Sequence, residues 1–338
     1  MEKENSKDHF LFLDLIRYLA ASIVALTHYE IYFLDQYRFE ILTILAVEVF
    51  FVLSGFVLAK QIIYVVNGKK FYNYKIFLIR RWIRTIPPYF IAIICSTILL
   101  GYGDLKNLIK HLFYLQNFIS DTPSYNFFSV GWSLSVEEWF YIFFPIYLML
   151  MCKIKLLKEN LIRNTLILLL IYFFLRLIFE FEHGWGENVR RSVLFRLDSI
   201  AYGFLAYLIR DQIGKKSILL FFFIGLIFFI HISSNKTLLN YSSFFQQSFF
   251  IITGTFFGTA LLILSRIKIN SKNIQTIFDF LARISYPIYL FHIIFLTSMI
   301  KFSFNIGIVS YFLVVNIFAF IFHYTVEFSL LKSRPMYS

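Results

Sequence analysis

Apolar residues run through this chain in long blocks separated by short polar connections, with no alternation of the kind that marks a membrane β-barrel. Crossing a bilayer takes roughly 20 mostly apolar residues. Ten blocks qualify, at approximately 10–30, 41–64, 86–104, 132–152, 164–182, 193–209, 217–234, 244–265, 281–301 and 305–327. Backbone groups at those depths must bond to one another, so the pattern predicts helices. The expected fold is all-α: a polytopic membrane protein of about ten transmembrane helices. Residues 1–338 read as one transmembrane domain, without a long linker, an internal repeat or an appended soluble domain.

Composition agrees. The 338 residues are 59% hydrophobic and 15% charged, against roughly 45–50% and about 25% in ordinary usage. A soluble domain cannot hide that much apolar surface. The net charge of +12 would invite a nucleic-acid partner, but its placement argues for topology instead. With the N-terminus inside, Lys3, Lys7, Lys69, Lys70, Lys75, Arg80, Arg81, Arg84, Lys153, Lys155, Lys158, Arg163, Arg210, Lys215, Lys216, Arg266, Lys268, Lys272, Lys332 and Arg334 fall on the inner side. The outer side holds only Arg38, Lys106, Lys110, Arg190, Arg191, Lys236 and Lys301. The positive-inside rule then puts both termini in the cytoplasm. No cleavable signal peptide is expected, because the first block lacks a small-residue cleavage site. Cys95 and Cys152 sit far apart in apolar runs and read as small buried hydrophobes. The seven histidines include no H-x-x-x-H pair, so no metal site is expected.

Charges inside the apolar blocks are the unusual feature. A charged side chain at mid-bilayer costs at least ~2.5–3.5 kcal/mol and normally faces a cavity or a partner. Asp14, Arg17, His28, Glu48, Glu137, Glu138, Arg196, Asp198, His292, His323 and Glu327 all lie within or at the ends of such blocks. Arg17 and His28 are eleven residues apart, close to three turns and a rise of roughly 16 Å. Asp14 precedes Arg17 by three, so these two pair on one face. The three form a stripe that can line a passage from the cytoplasm into the membrane.

Two further segments carry candidate chemistry. In "RRWIR" (80–84), Arg80 and Arg84 share a helical face, and Pro87 and Pro88 are expected to end that segment before the next span. An arginine cluster beside Tyr72, Tyr74 and Trp82 suits a nucleotide phosphate and anionic membrane lipid headgroups equally. In "GWSLSVEEWFYIFFP" (131–145), Trp132, Ser133, Ser135, Glu137 and Glu138 open a span, and Glu137 shares a face with Tyr141. Paired acids there can bind a cation, carry protons or orient a polar substrate. Ser54, Ser133 and Ser135 read as packing or polar-lining residues. His292 reads as a lining residue. His323 and Glu327 are spaced to satisfy each other, and Arg196 and Asp198 each need a partner on another helix. His9, His111, His183 and His231 carry no evident chemistry.

Six motifs in series, "LDLIRYLAASIVALTH" (13–28), "VEVFFVLSGFVLA" (47–59), "RRWIRTIPPYF" (80–90), "WSLSVEEWFYIFFP" (132–145), "RLDSIAYG" (196–203) and "SYPIYLFHIIF" (285–295), resemble the acyltransferase-3 family of integral-membrane acyltransferases. "HYTVEFSLLKSRP" (323–335) resembles its last span more loosely.

The resemblance implies a mainly bacterial enzyme of the cytoplasmic membrane. Such an enzyme O-acylates, usually O-acetylates, a hydroxyl of a cell-surface glycan or its lipid-linked precursor. It implies acetyl-CoA or another acyl-CoA as the donor. It makes Arg17 and His28 the central functional positions and maps the family's Arg-x-x-Arg element onto Arg81 and Arg84, with Arg80 beside it. Glu48 stands at an acidic position where the family often has Asp, and its arm is longer.

The expected mechanism has Arg80, Arg81 and Arg84 holding the donor phosphates, the pantetheine arm passing Arg17, and His28 acting as general base. Glu48 is the first candidate to orient His28, and Glu137 or Glu138 the second. Many family members carry an esterase-like domain after the membrane core. Because this sequence ends at Ser338, a second transfer step is expected to need a separate esterase-like or glycan-assembly protein. The competing classes are a transporter or flippase for an anionic or lipid-linked sugar, and a scaffold in a polysaccharide export complex.

Overall fold

The structure is a computed structural model that describes residues 10–34, 40–68, 70–101, 104–119, 127–154, 160–183, 189–234 and 243–337. Lys3, Lys7, His9, Arg38, Lys69, Lys155, Lys158 and Lys236, which entered the charge and histidine readings, lie outside them. Among the described residues the chain is helical and strand-free. The helices are α1 (Leu11–Leu34), α2 (Glu40–Gly68), α3 (Phe71–Leu100), α4 (Leu105–Leu112), α5 (Gly131–Met151), α6 (Leu161–His183), α7 (Val193–Ile209), α8 (Lys215–Ser234), α9 (Ser243–Ser265), α10 (Lys272–Lys301) and α11 (Ile308–Phe322). A π-helical turn (His323–Glu327) leads from α11 into α12 (Phe328–Lys332).

Eight of these segments are long and apolar enough to cross a membrane, which makes this a polytopic membrane protein. The ten expected blocks all form helices. The 193–209 block is only 17 residues long and is buried along most of its length. Among the described helices, α4 and the short α12 lie outside the expected spans. The N-cap of α4, Asp104, accepts from the Asn107 amide at 2.6 Å.

One expectation fails. Pro87 and Pro88 do not end a segment, because α3 runs unbroken from residue 71 to 100. Proline fixes φ near the helical value, and its cost is a lost intrahelical donor and a clash with the preceding turn. Within a membrane bundle, neighbouring groups take up the freed carbonyls. The Tyr286 hydroxyl also donates to the Thr85 carbonyl at 2.9 Å, tying α10 to α3 just before the two prolines.

Paired contacts give the helix directions. Phe12 packs on Phe278 and His28 on His292, so α1 and α10 run parallel. Thr27 meets Thr43 and Phe10 meets Phe56, so α2 returns antiparallel to α1. α7 runs parallel to α2 at very short range. A methyl group added at Gly55 would overlap the Ile200 carbonyl, and one at Gly203 would overlap that of Val52. Glycine at both positions lets the two backbones touch, which is how helices pack tightly in lipid.

The same crossing carries buried charge. Arg196 on α7 donates to Glu48 on α2 at 2.5 Å, and Asp198 accepts from Arg176 on α6 at 2.8 Å. Both guanidiniums also lie over the Phe250 ring, at 4.1 and 4.7 Å. Arg176 is a mid-span arginine absent from the sequence reading, although an arginine inside a 19-residue apolar block is itself the signal. His323 and Glu327 satisfy each other at 2.7 Å, as their spacing predicts.

Candidate active site

The charged stripe of α1 faces two cavities that lie toward opposite ends of the bundle. The first has a volume of about 100 Å³. Its wall comes from the N-terminal halves of α1, α3 and α5 and the middles of α2 and α10. Arg17, Arg81 and Arg84 supply its charge, with Ser54, Ser133, Glu137, Tyr141 and Tyr286 as polar neighbours. The second has a volume of about 640 Å³. It is built from the end of α1, the start of α2, the start of α5 and the residues just before α7. His28, Glu40, Thr43, Trp132, Arg190 and Arg191 line it. Val47 and Tyr289 line both cavities, so the two spaces are neighbours across these side chains.

His28 Nδ1 lies 2.8 Å from His292 Nε2, and the rings stack at an interplanar angle of 7°. The tautomers follow from the next contacts. His292 Nδ1 faces the carbonyl oxygens of Tyr289 (2.8 Å) and Ile288 (3.2 Å). Carbonyls only accept, so that nitrogen carries hydrogen. In neutral His292, Nε2 is then the acceptor and His28 Nδ1–H the donor. His28 is left with Nε2 as its basic atom. His292 itself is fully buried and lines neither cavity; it meets the second cavity only through its contact with His28.

Glu48, the first candidate to orient His28, is engaged by Arg196 instead. It projects from α2 toward α7, away from α1. Glu137 faces the first cavity, where it accepts from Ser54 at 2.5 Å and from the Tyr141 hydroxyl. Glu138, one helical step on, is buried and lines neither cavity. None of the three carboxylates orients the imidazole. A second histidine holds that position, and reading for a carboxylate is what hid it.

The arginine cluster divides. Arg81 and Arg84 enter the first cavity beside Arg17, and Arg81 donates to Gln61 at 3.3 Å. Arg80 turns the other way. It donates to the Pro335 carbonyl at 2.7 Å and lies 5.2 Å over the Tyr337 ring. The pair that shares the cavity is therefore Arg81 and Arg84, and Arg80 belongs with the C-terminal segment. Asp14 pairs with Arg17 at 3.7 Å, as the i,i+3 spacing predicts, and lies outside both linings.

Of the remaining candidates, Trp132 faces the second cavity and Ser133 the first, where the Ser133 and Tyr289 hydroxyls lie 2.6 Å apart. Ser135 is a packing residue. It is fully buried and bonded to Gln116 at 2.6 Å. Tyr289, Tyr286, Gln61 and the pair Arg190–Arg191 are site residues that sequence reasoning did not single out. Tyr289 stands three residues before His292 in a quoted motif, and that spacing was its signal.

Comparisons with known proteins identify the family of the chain. A family model described as "Acyltransferase domain" matches residues 10–331. Among curated proteins, the peptidoglycan O-acetyltransferase OatA of Listeria monocytogenes is 33% identical over 126 residues, which is 32% of this chain and 20% of that protein. The O-acetyltransferase OatA of Staphylococcus aureus is 27% identical over 207 residues, 54% of this chain and 34% of that protein. The chain thus spans about a third or less of the length of these relatives. No solved structure matches it. With the family match covering nearly its whole length, the chain belongs to the acyltransferase-3 family.

Proposed function

We propose that the protein is a membrane O-acetyltransferase that carries an acyl group from acyl-coenzyme A in the first cavity to an acceptor hydroxyl in the second. One observation carries this reading. His28, with its tautomer fixed by His292, stands in a cavity that shares Val47 and Tyr289 with a second space lined by three arginines. The lysine and arginine distribution assigns the three-arginine cavity to the cytoplasm and both termini to the same side. The enzyme then sits in the bacterial cytoplasmic membrane.

Arg81 and Arg84 hold the donor's phosphates by charge-assisted hydrogen bonds. Arg17 stands deeper, along the path of the pantetheine arm. The thioester carbonyl reaches the neck at Tyr289. His28 Nε2 takes the proton of an acceptor hydroxyl, the oxygen attacks the thioester carbon, and a tetrahedral oxyanion forms. The Tyr289 hydroxyl turns from Ser133 to donate to that oxyanion. Collapse expels the coenzyme A thiolate, and His28 returns the proton to sulfur. General-base assistance of this kind contributes typically ~10²–10⁴-fold. Glu137, held by Ser54 and Tyr141, balances the arginine charge of the donor cavity. The acceptor is a surface glycan or its lipid-linked precursor, and the likeness to the Listeria peptidoglycan O-acetyltransferase makes peptidoglycan the first to try.

The test uses purified protein in nanodiscs with acetyl-labelled coenzyme A. The expected result is release of free thiol that depends on a glycan acceptor, with label appearing on that glycan. Intact acetyl-coenzyme A under every condition, together with movement of a lipid-linked sugar across the bilayer, would overturn the reading in favour of a flippase.

A further inference from the structure

Arg81 lines the first cavity at 8% exposure, in company with Arg17 and Arg84. Like charges in one small space push one another apart, so a guanidinium kept at a fixed angle there needs a hold. Among the described residues, its one hydrogen-bond acceptor is the Gln61 side chain on α2, 3.3 Å from Nη2. A guanidinium only donates, so the atom facing it is the carboxamide oxygen. The choice of group matters. A carboxylate at this place would cancel the charge that a phosphate is drawn to. A carboxamide orients the planar fork and leaves its charge intact.

Gln61 lies outside the cavity lining and is itself held from beyond it. The Tyr337 hydroxyl donates to the same oxygen at 3.5 Å. Two other contacts place Tyr337. Its ring packs edge-on against Tyr64, 5.2 Å between centres, and Tyr64 stands three residues after Gln61 on α2. The Arg80 guanidinium lies 5.2 Å over the same ring and donates to the Pro335 carbonyl at 2.7 Å. Arg80 thus fastens residues 335–337 to α3, while Arg81, next to it in sequence, meets that segment through Gln61. The inference rests on the donor reading of the first cavity. We infer that Gln61 and Tyr337 are positioning residues for the donor: Tyr337, fixed by Tyr64 and Arg80, steadies the Gln61 carboxamide, and Gln61 aims the Arg81 guanidinium at the donor's phosphates without neutralising it.

The experiment is equilibrium binding of acetyl-coenzyme A to the full chain in nanodiscs, which needs no acceptor. Gln61→Leu keeps most of the side-chain bulk and removes the oxygen. Tyr337→Phe keeps the ring beside Tyr64 and beneath Arg80 and removes only the hydroxyl. Each should weaken binding by roughly three- to tenfold, the usual weight of one hydrogen bond, with Gln61→Leu the larger. Coupling separates aiming from general support. Placed on top of Arg81→Ala, neither substitution should weaken binding further, because the group that they aim is gone. Wild-type affinity in either single variant overturns the inference. So does a full additional loss in the Arg81→Ala background, which a merely structural role would give. An Arg81→Ala protein that binds acetyl-coenzyme A as tightly as wild type sinks the donor reading of the cavity itself, and the inference with it, which keeps the two failures distinct.

Discussion

His28 Nδ1 lies 2.8 Å from His292 Nε2, which joins the first helix to the tenth through one hydrogen bond between two imidazoles. In a hydrolase-type triad a carboxylate fixes the tautomer of the basic histidine. Here a neutral imidazole does so, and backbone carbonyls fix that imidazole in turn. In the proposed mechanism, the base is then supported by a group that carries no charge of its own.

His28→Ala should reduce acetyl transfer by ~10²–10⁴-fold, the usual weight of a general base. His292→Phe keeps the ring volume but removes the acceptor. It should lower kcat while leaving the KM for acetyl-coenzyme A near wild type, because His292 touches neither cavity. Steady-state kinetics on both variants, with size-exclusion profiles as a folding control, checks this. A His292→Phe enzyme with wild-type kcat would remove the tautomer argument.

Arg81→Ala and Arg84→Ala should each weaken donor binding, with a loss that shrinks at high salt as screening weakens the wild-type contacts too. Arg80→Ala should matter much less to the donor, since its guanidinium bonds to Pro335 and covers Tyr337. Equilibrium binding of acetyl-coenzyme A at two ionic strengths ranks the three. Equal losses at 80 and 81 would contradict the division of the cluster.

Removing one partner of a buried ion pair strands the other and costs roughly 3–5 kcal/mol. Glu48→Ala and Arg196→Ala should therefore each lower the melting temperature in detergent substantially. The double variant Glu48→Ala with Arg196→Met should recover part of the loss, because no charge is left stranded. A double variant whose loss equals the sum of the single losses would show that the pair is not coupled.

Gly203→Ala puts a methyl group into the Val52 carbonyl, and Gly55→Ala does the same toward Ile200. Either should cost about 1–3 kcal/mol or more through forced separation of α2 and α7. Because α2 also carries Val47, Ser54 and Thr43, the kinetics should fall with the stability. Gly307→Ala is the control: it has open space around it, and no loss is expected.

Much of this architecture was legible in the chain because lipid makes helix the one answer to a twenty-residue apolar run. The Asp14–Arg17 and His323–Glu327 pairs were legible for a related reason, since spacing within one helix fixes them. What sequence spacing cannot fix is which neighbour a side chain meets across a helix interface. Glu48 looked available to His28 and went to Arg196. Arg80 and Arg81 differ by one 100° step around α3, which decides between the tail and the cavity. Pro87 and Pro88 were read by their effect in water, where a broken helical bond is filled by solvent. Within the bundle the helix continues through them.

The shared lining of Val47 and Tyr289 has a consequence for the cell's energy supply. A water-filled hole through the cytoplasmic membrane would short-circuit the proton gradient. Two vestibules divided by a few side chains avoid that. In the proposed reaction, a two-carbon group handed over at the divider would cross from one side to the other inside covalent bonds, without needing a continuous water column. Widening that divider would turn an enzyme into a leak.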